Sequence, residues 1–481
     1  MGDVAATLNN LGNLLGCLRE TEAARAALRD SADLYEKAGS LIDAARPCAN
    51  RAHLERELGE RTFAVEWAEK ALEFLETGLA QLSTAEHYDK FKARIEHAVE
   101  VLVEQYADEG PQGMDKLVRL FEWLRRAEAT AGLHRPVEAA PPRLPRDSRH
   151  PVLWIQRVRR SLIFGLLCPD EGLRVYQAKT EVDDGVWTDR IVNLLVLMDQ
   201  GSESRIIADA AGPVFSLFPE PILDLLTEEG GPVFVSPCAQ TLALPLELIP
   251  ARSGDLEMPF AGLRRLIVRF HSLGELGEVL RRQPRLDGAP AVVVGEPETE
   301  KAPLSAAREG ADYVAKLLQV EACLGKDATR DFVMAALSNL ALTTFIFSGH
   351  GSPEALALAG GQSLTLEDLH QLTWEGTPFM HLDCCYAGTV WGTGGGRFLG
   401  MPSAMIRSGA SVVLASYHPL YDESAKAFSC RLYDLMIQER ISLGEALLDA
   451  RRWMHRENYG IPLFWATSVV WGNPSVCLAG E

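Results

Sequence analysis

Thr344-Phe345-Ile346-Phe347-Ser348-Gly349-His350-Gly351 and, 35 positions later, Phe379-Met380-His381-Leu382-Asp383-Cys384-Cys385-Tyr386-Ala387-Gly388 are the stretches that decide the fold. Each opens as a short apolar run and closes in small and polar residues, the pattern of a buried strand ending in a turn. Similar runs stand at Ala291-Val292-Val293-Val294, Ser411-Val412-Val413-Leu414 and Ser468-Val469-Val470. Between them, helical spacing predicts helices over 304–318, 329–337, 366–372, 401–406, 423–437 and 443–455. Buried strands alternating with helices predict an α/β unit, a mainly parallel sheet covered on both faces.

Reactive groups in such sheets gather at the carboxyl ends of the strands. Neighbouring parallel strands would set His350 beside a cysteine at that edge. A thiol next to an imidazole ionises near neutral pH; the thiolate attacks a carbonyl and the imidazolium protonates the leaving amine. Cys384 and Cys385 cannot both serve, because successive strand residues point to opposite faces. Spacing alone does not choose between them. Singly, a buried free cysteine packs as a small hydrophobe and a lone histidine at a strand end is a satisfied polar group; the pairing at two strand ends favours chemistry.

Working outward, residues 289–481 hold this unit, and 152–288 have the texture of a second, less regular α/β half. Pro136, Pro141, Pro142, Pro145 and Pro151 make 134–151 a stiff linker. Residues 1–133 are rich in Ala, Leu, Glu and Arg at helical spacing. Leu18-Arg19-Glu20-Thr21-Glu22-Ala23-Ala24 matches Leu58-Gly59-Glu60-Arg61-Thr62-Phe63-Ala64, a period of 40. Small residues on one face, Ala24 and Ala27, then Ala64, Ala68 and Ala71, let antiparallel helices approach, so stacked helical hairpins are expected rather than a generic bundle. A third, degenerate unit is expected over 86–131. Met1 falls almost at the start of a repeat, so the solenoid is expected either to continue into a partner or to be a shortened form.

The chain of 481 residues carries 47 Lys+Arg against 66 Asp+Glu, a net charge of −19. That balance opposes nucleic-acid binding by phosphate neutralisation as the main activity. No secretory signal and no apolar span are legible, so no membrane partner is expected. Nine thinly spread cysteines are no disulfide framework. A reduced, cytoplasmic protein is the expectation. No cofactor or metal is called for. Gly392-Thr393-Gly394-Gly395-Gly396 lacks the Gly-Lys-Ser/Thr of a phosphate loop and reads as a mobile loop. Cys384 and Cys385 with His350 and His381 lack zinc spacing.

Phe347-Ser348-Gly349-His350-Gly351 with Leu382-Asp383-Cys384-Cys385-Tyr386-Ala387-Gly388 resembles the paired motifs of the caspase-like clan, and among these the CHAT family of peptidases, commonly joined to tetratricopeptide repeats. Residues 1–133 look like such repeats. The likeness extends to 243–250, similar to the family's upstream Pro-containing strand segment, and to 398–417 and 464–474. It implies a caspase-like fold with a degenerate and a catalytic half, and a cysteine endopeptidase in which His350 is general base and acid and Cys385 the nucleophile. Cys384 becomes a packing residue. The resemblance also implies an oxyanion hole of the Gly351 and Cys385 N–H groups, and a backbone carbonyl that orients the histidine. Asp383 is a departure from the family pattern and is similar to the Asp-x-Cys of metacaspases. It suggests a pocket for Arg or Lys before the scissile bond, with Asp422 and Glu423 as a second acidic wall; otherwise Asp383 caps the following turn. His370 and His418 are rival bases, and His381 is expected to pack or hydrogen-bond in the sheet. The implied partners are a protein substrate and a regulatory protein or subunit on the helical repeats, in bacterial antiviral or stress defence or regulated cell death. The alternative is a catalytically inactive scaffold on the same fold.

Overall fold

The structure, a computed structural model, describes residues 1–78, 98–107, 111–130, 150–158, 161–169, 171–179, 184–238, 241–252, 257–282, 290–389, 400–458 and 460–478. The chain begins with α1 (Gly2–Cys17), α2 (Thr21–Lys37), α3 (Leu41–Glu57) and α4 (Arg61–Gly78). Three similar turns join them. Arg19, Gly39 and Gly59 take left-handed backbone with φ of 63°, 73° and 80°, and the next N–H closes onto Leu15, Tyr35 and Glu55, satisfying carbonyls at each helix end. Ala24, Ala44, Ala45, Ala49, Ala64, Ala68 and Ala71 are buried between the helices, where a missing side chain lets backbones approach. The 40-residue period thus corresponds to pairs of antiparallel helices. Of the expected third unit, 98–107 (α5) and Pro111–Thr130 (α6) are helical; 79–97 lie outside the described residues.

Helix α6 belongs to the α/β core as much as to the arm. Buried Arg125 donates to the Gln156 Oε1 at 2.7 Å, the Ile155 carbonyl at 2.9 Å and Ser236 Oγ at 2.9 Å. Glu122 accepts from Trp154 Nε1 at 3.2 Å and the Leu273 N–H at 2.7 Å. These buried, charge-assisted bonds fasten the arm to the sheet. The expected linker lies outside the described residues, save His150 and Pro151.

The remaining strands build one sheet. The first half gives β1 (Val152–Val158), β2 (Ser161–Cys168), β3 (Gly172–Lys179), β4 (Val233–Pro237) and β5 (Ile267–Arg269). The second gives β6 (Ala291–Pro297), β7 (Ala322–Gly325), β8 (Thr344–Gly349), β11 (Phe379–Cys384), β12 (Val412–Ser416) and β13 (Ser468–Gly472), while β9 (Ala355–Ala357) and β10 (Ser363–Thr365) pair separately. The order is β3-β2-β1-β4-β5-β13-β12-β11-β8-β6-β7. Among the described residues of this sheet, only the β1–β2, β2–β3 and β12–β13 ladders are antiparallel. The two halves therefore share a single sheet, with β13 closing the seam between β12 and β5.

Helices cover both faces as the apolar pattern requires. On one, α12 (Ser305–Leu317), α16 (Asp422–Tyr433) and α17 (Leu443–Glu457) meet Val293, Ile346, Phe379, Val412, Leu414 and Val470. On the other, α13 (Arg330–Leu337), α14 (Leu366–His370) and α15 (Met401–Arg407) meet Phe345, Phe347, Met380, Leu382 and Val413. Ser442 and Glu445 start α17 with a reciprocal capping pair. α16 passes into a π-helical turn over Asp434–Gln438.

The stretch 243–250 is not a strand, contrary to expectation. Leu246–Leu248 is a single 3₁₀ turn between Pro245 and Pro250, and it drives Glu247 inward. Glu247 pairs bidentately with Arg269 at 2.6 and 2.8 Å and faces Arg451 at 3.9 Å, all three essentially without solvent contact. Burial alone would raise the Glu247 carboxyl, but Arg269 and Arg451 together hold it below its ordinary value. Burial lowers Arg451 to about 10. The Arg269 guanidinium also lies 5.0 Å over the Tyr417 ring, so this network reaches the loop after β12.

Burial lowers the pKa of His381 and of His271, the latter well below the ordinary 6.5. The unfolded chain protonates them near 6.5 while the fold resists, so their contribution is complete above 6.5 and is lost as pH falls toward the lowered values. Urea unfolding at pH 6.5 and 5.5 should show stability dropping, with a slope limit of about 1.4 kcal/mol per pH unit per histidine. Replacing His381 by Phe should flatten that slope.

Candidate active site

Strands β8 and β11 are parallel neighbours, with Ser348 opposite Asp383 and Gly349 opposite Cys384. His350 and Cys385 therefore leave the sheet at the same level on adjacent strands. Gly351 is the tightest point. A Cβ there would lie 2.6 Å from Cys384 Sγ and 3.2 Å from the Cys385 carbonyl oxygen, so only glycine lets the His350 turn settle onto the cysteine strand. The small ladder beside it uses the His350 carbonyl and the Ser352 N–H, each at 2.9 Å. Neither bond draws on the Gly351 N–H.

Cys384 and Cys385 part as strand alternation demands. Cys384 is 1% exposed, packs with Leu382 and Phe347, and burial pushes its thiol well above the ordinary range. Cys385 is half-exposed, and its Sγ accepts the Leu420 N–H at 3.4 Å. The chain then turns sharply. Tyr386 adopts φ of 60°, a left-handed conformation uncommon for a side chain of this size. Its N–H reaches the His418 carbonyl at 3.4 Å, and the Gly388 N–H donates to the Ser416 carbonyl at 2.7 Å. A Cβ on Gly388 would sit 3.0 Å from that carbonyl. The turn presents Cys385 at the sheet edge.

His350 is held by a group with no sequence signal of its own. Its Nε2 lies 2.8 Å from the Ala302 carbonyl oxygen. A carbonyl only accepts, so Nε2 carries the proton and Nδ1 is the basic nitrogen of the neutral ring. Ala302 precedes Pro303, which biases it toward extended backbone. The segment bounds a cavity of about 160 Å³ beside His350, lined also by Glu298, Thr299 and Arg308.

Asp383 shares the Cys385 face. Its Oδ2 accepts from Ser429 Oγ at 2.9 Å and from Ser348 Oγ at 3.3 Å, and it keeps partial exposure. Below it, buried His381 Nδ1 lies 3.0 Å from the Tyr433 hydroxyl, within the sheet. The second acidic wall needs correction. Asp422 is committed elsewhere, its carboxylate accepting the Ala306 and Ala307 N–H groups at 2.9 and 2.8 Å at the start of α12. That position neutralises two unpaired donors of a helix N-terminus. Glu423 is directed to solvent beside Lys426 at 3.5 Å.

The rival bases are engaged otherwise, although the His418 main chain borders the Cys385 turn. His418 is buried with Nδ1 2.8 Å from Asp199 at the end of α7 (Asp184–Asp199). His370 ends α14, where burial lowers its pKa. The glycine-rich 392–396 loop lies outside the described residues. Among the described residues, no group of three or more His, Cys, Asp or Glu is arranged to hold a metal, and no helix is long and apolar enough to cross a membrane.

Among solved structures, the separase–securin complex of Saccharomyces cerevisiae matches 94% of this chain and 37% of its own, at 11% identity and TM-score 0.52. The chain thus spans little more than a third of that separase chain. Gingipain R, an Arg-specific cysteine proteinase, matches 61% of this chain and 75% of its own, at 14% identity and TM-score 0.43. The gingipain of Porphyromonas gingivalis in complex with its pro-domain matches 62% and 78%, also at 14% and 0.43. At such identity, the separase likeness establishes a caspase-like fold. No curated protein sequence matches the chain. The model of the CHAT domain family matches residues 210–473, more than half of the sequence and the whole region that carries His350, Gly351 and Cys385, and the chain belongs to that family.

Proposed function

We propose that the protein is a cysteine endopeptidase in which His350 and Cys385 form the dyad. The observation that carries this reading is the placement of a half-buried thiol, already accepting an N–H, one strand from a histidine whose far nitrogen is tied to a main-chain carbonyl. His350 Nδ1 takes the Sγ proton, and the thiolate adds to the scissile carbonyl carbon. The oxyanion draws on the Gly351 and Cys385 N–H groups. His350 then returns its proton to the leaving amine, and a water activated by the same nitrogen hydrolyses the thioester.

Cleavage follows Arg or Lys. Asp383, oriented by Ser348 and Ser429, offers a fixed carboxylate on the nucleophile's own face, suited to a guanidinium. Asp422 and Glu423 take no part. A regulatory protein bound to the helical arm controls the enzyme, in bacterial antiviral defence or regulated cell death; α6, with Lys116 4.9 Å over the Tyr106 ring of α5 and Arg125 bonded to the sheet, supplies the mechanical link.

The test exchanges the residue before the cleaved bond. An arginyl peptide should be cut about a hundredfold faster than its alanyl counterpart, and Asp383→Ala should erase that ratio while sparing the alanyl rate. Equal rates for both peptides with the native enzyme would sink the specificity reading.

A further inference from the structure

A second concave feature lies away from Cys385. Helix α8 (Ser204–Phe215), the turn around Met258 and the end of α17 line an open cavity of about 770 Å³. Ala208, Met258 and Pro259 give it apolar walls, and Arg205, Arg452 and Arg456 bring three guanidinium groups against one carboxylate, Glu257.

Several arginines among the described residues have an acidic partner: Arg25 with Glu55, Arg269 with Glu247, Arg308 with Glu296, Arg431 with Asp449. Arg205 and Arg456 are exposed and make no ion pair among the described residues. Arg452 is braced by its Nε bond to the Leu263 carbonyl at 2.7 Å, and its Nη2 lies 4.0 Å from Glu229, a long contact that leaves the fork able to turn toward an anion. His455, also lining the cavity, is only 9% exposed, yet its Nδ1 has no hydrogen-bond partner. A buried imidazole nitrogen without a partner costs free energy unless a ligand completes it. Burial, and then the charge of Arg456, lower the His455 pKa from its ordinary value. Ser204 Oγ clips onto the Gly460 carbonyl and so fixes one rim.

We propose that this cavity binds a small organic anion, its phosphate or carboxylate head held by Arg205, Arg452 and Arg456 and its apolar body seated on Ala208, Met258 and Pro259. The volume falls in the range of small-molecule pockets, about 300–1,000 Å³, and the lining has their character, apolar with a few convergent polar groups. Guanidinium forks match the geometry of both anion types. The proposal does not depend on the peptidase reading, because the cavity holds neither Cys385 nor His350.

Calorimetric titration of the Cys385→Ala chain with 1-naphthyl phosphate tests it; a chain without the thiol cannot confuse binding with turnover. One saturable site is expected, with inorganic phosphate weaker and neutral 1-naphthol silent. Arg205→Ala and Arg456→Ala, both on the surface, should each weaken binding roughly tenfold or more with unchanged thermal unfolding. Absence of saturable binding at millimolar ligand, or affinity indifferent to both substitutions, would overturn the proposal. Tighter binding of a hexaglutamate peptide at the same arginines would overturn it as well, since the ligand would then be a protein segment.

Discussion

Hydrolysis of an arginyl peptide falls by about a thousandfold or more when Cys385 is replaced by Ala, and stays within a few-fold of native when Cys384 is replaced. The two sulfurs are adjacent in sequence but differ in every relevant physical respect. Cys385 is half-exposed, accepts an N–H bond at its Sγ and follows the strand register that pairs it with His350. Cys384 faces the hydrophobic cluster on the other side of the sheet, where burial keeps its thiol protonated. Removing Cys384 Sγ leaves a small void against Gly351 and costs about 1 kcal/mol of stability, with little consequence for the chemistry. Steady-state rates of both variants, normalised to folded protein by circular dichroism, check this. Equal loss in both would mean that the dyad assignment is wrong.

The second large effect concerns stability. Glu247→Ala strands Arg269 and Arg451 together in the core, two cations with no counter-charge. Breaking a buried pair from one side typically costs about 3–5 kcal/mol, a large fraction of a domain's total. The midpoint of urea unfolding should drop accordingly. Arg252→Ala is the contrast, since its pairs with Glu220 and Asp224 lie in solvent and should leave the midpoint unmoved. Because Arg269 stacks on Tyr417 in the loop that also carries His418 and Leu420, Glu247→Ala should depress activity before it unfolds the chain.

The catalytic half was readable because its strands announce themselves. Thr344–Phe347 and Phe379–Leu382 are apolar runs bounded by turns, and the observed α12, α13 and α17 begin and end within two residues of the helical spacing. Alternation also separated the faces of Cys384 and Cys385, though not their roles. What escaped was set by tertiary structure. Ala302 acts through its carbonyl, which every residue possesses, so its bond to His350 leaves no trace in composition. Asp422 looked free beside a strand end; its partners, Ala306 and Ala307, are more than a hundred positions away. Residues 243–250 were expected to be extended only from the family resemblance; Pro245 and Pro250 instead bracket a 3₁₀ turn whose one carboxylate, Glu247, answers two buried arginines. The antiparallel β1–β3 meander went unread because its outer strand β3 stays partly exposed and β1 is buried by contacts remote in sequence, β4 beside it and Arg125 of α6.

Covalent labelling tests the central claim most directly. The native chain is treated with a limiting amount of a peptidyl-arginine acyloxymethyl ketone, digested, and the modified cysteine located by mass spectrometry among all nine. The dyad reading requires the adduct on Cys385, and its loss in His350→Ala. An adduct on Cys384 or on any other cysteine while Cys385 stays free, or labelling of Cys385 undiminished without His350, would contradict it.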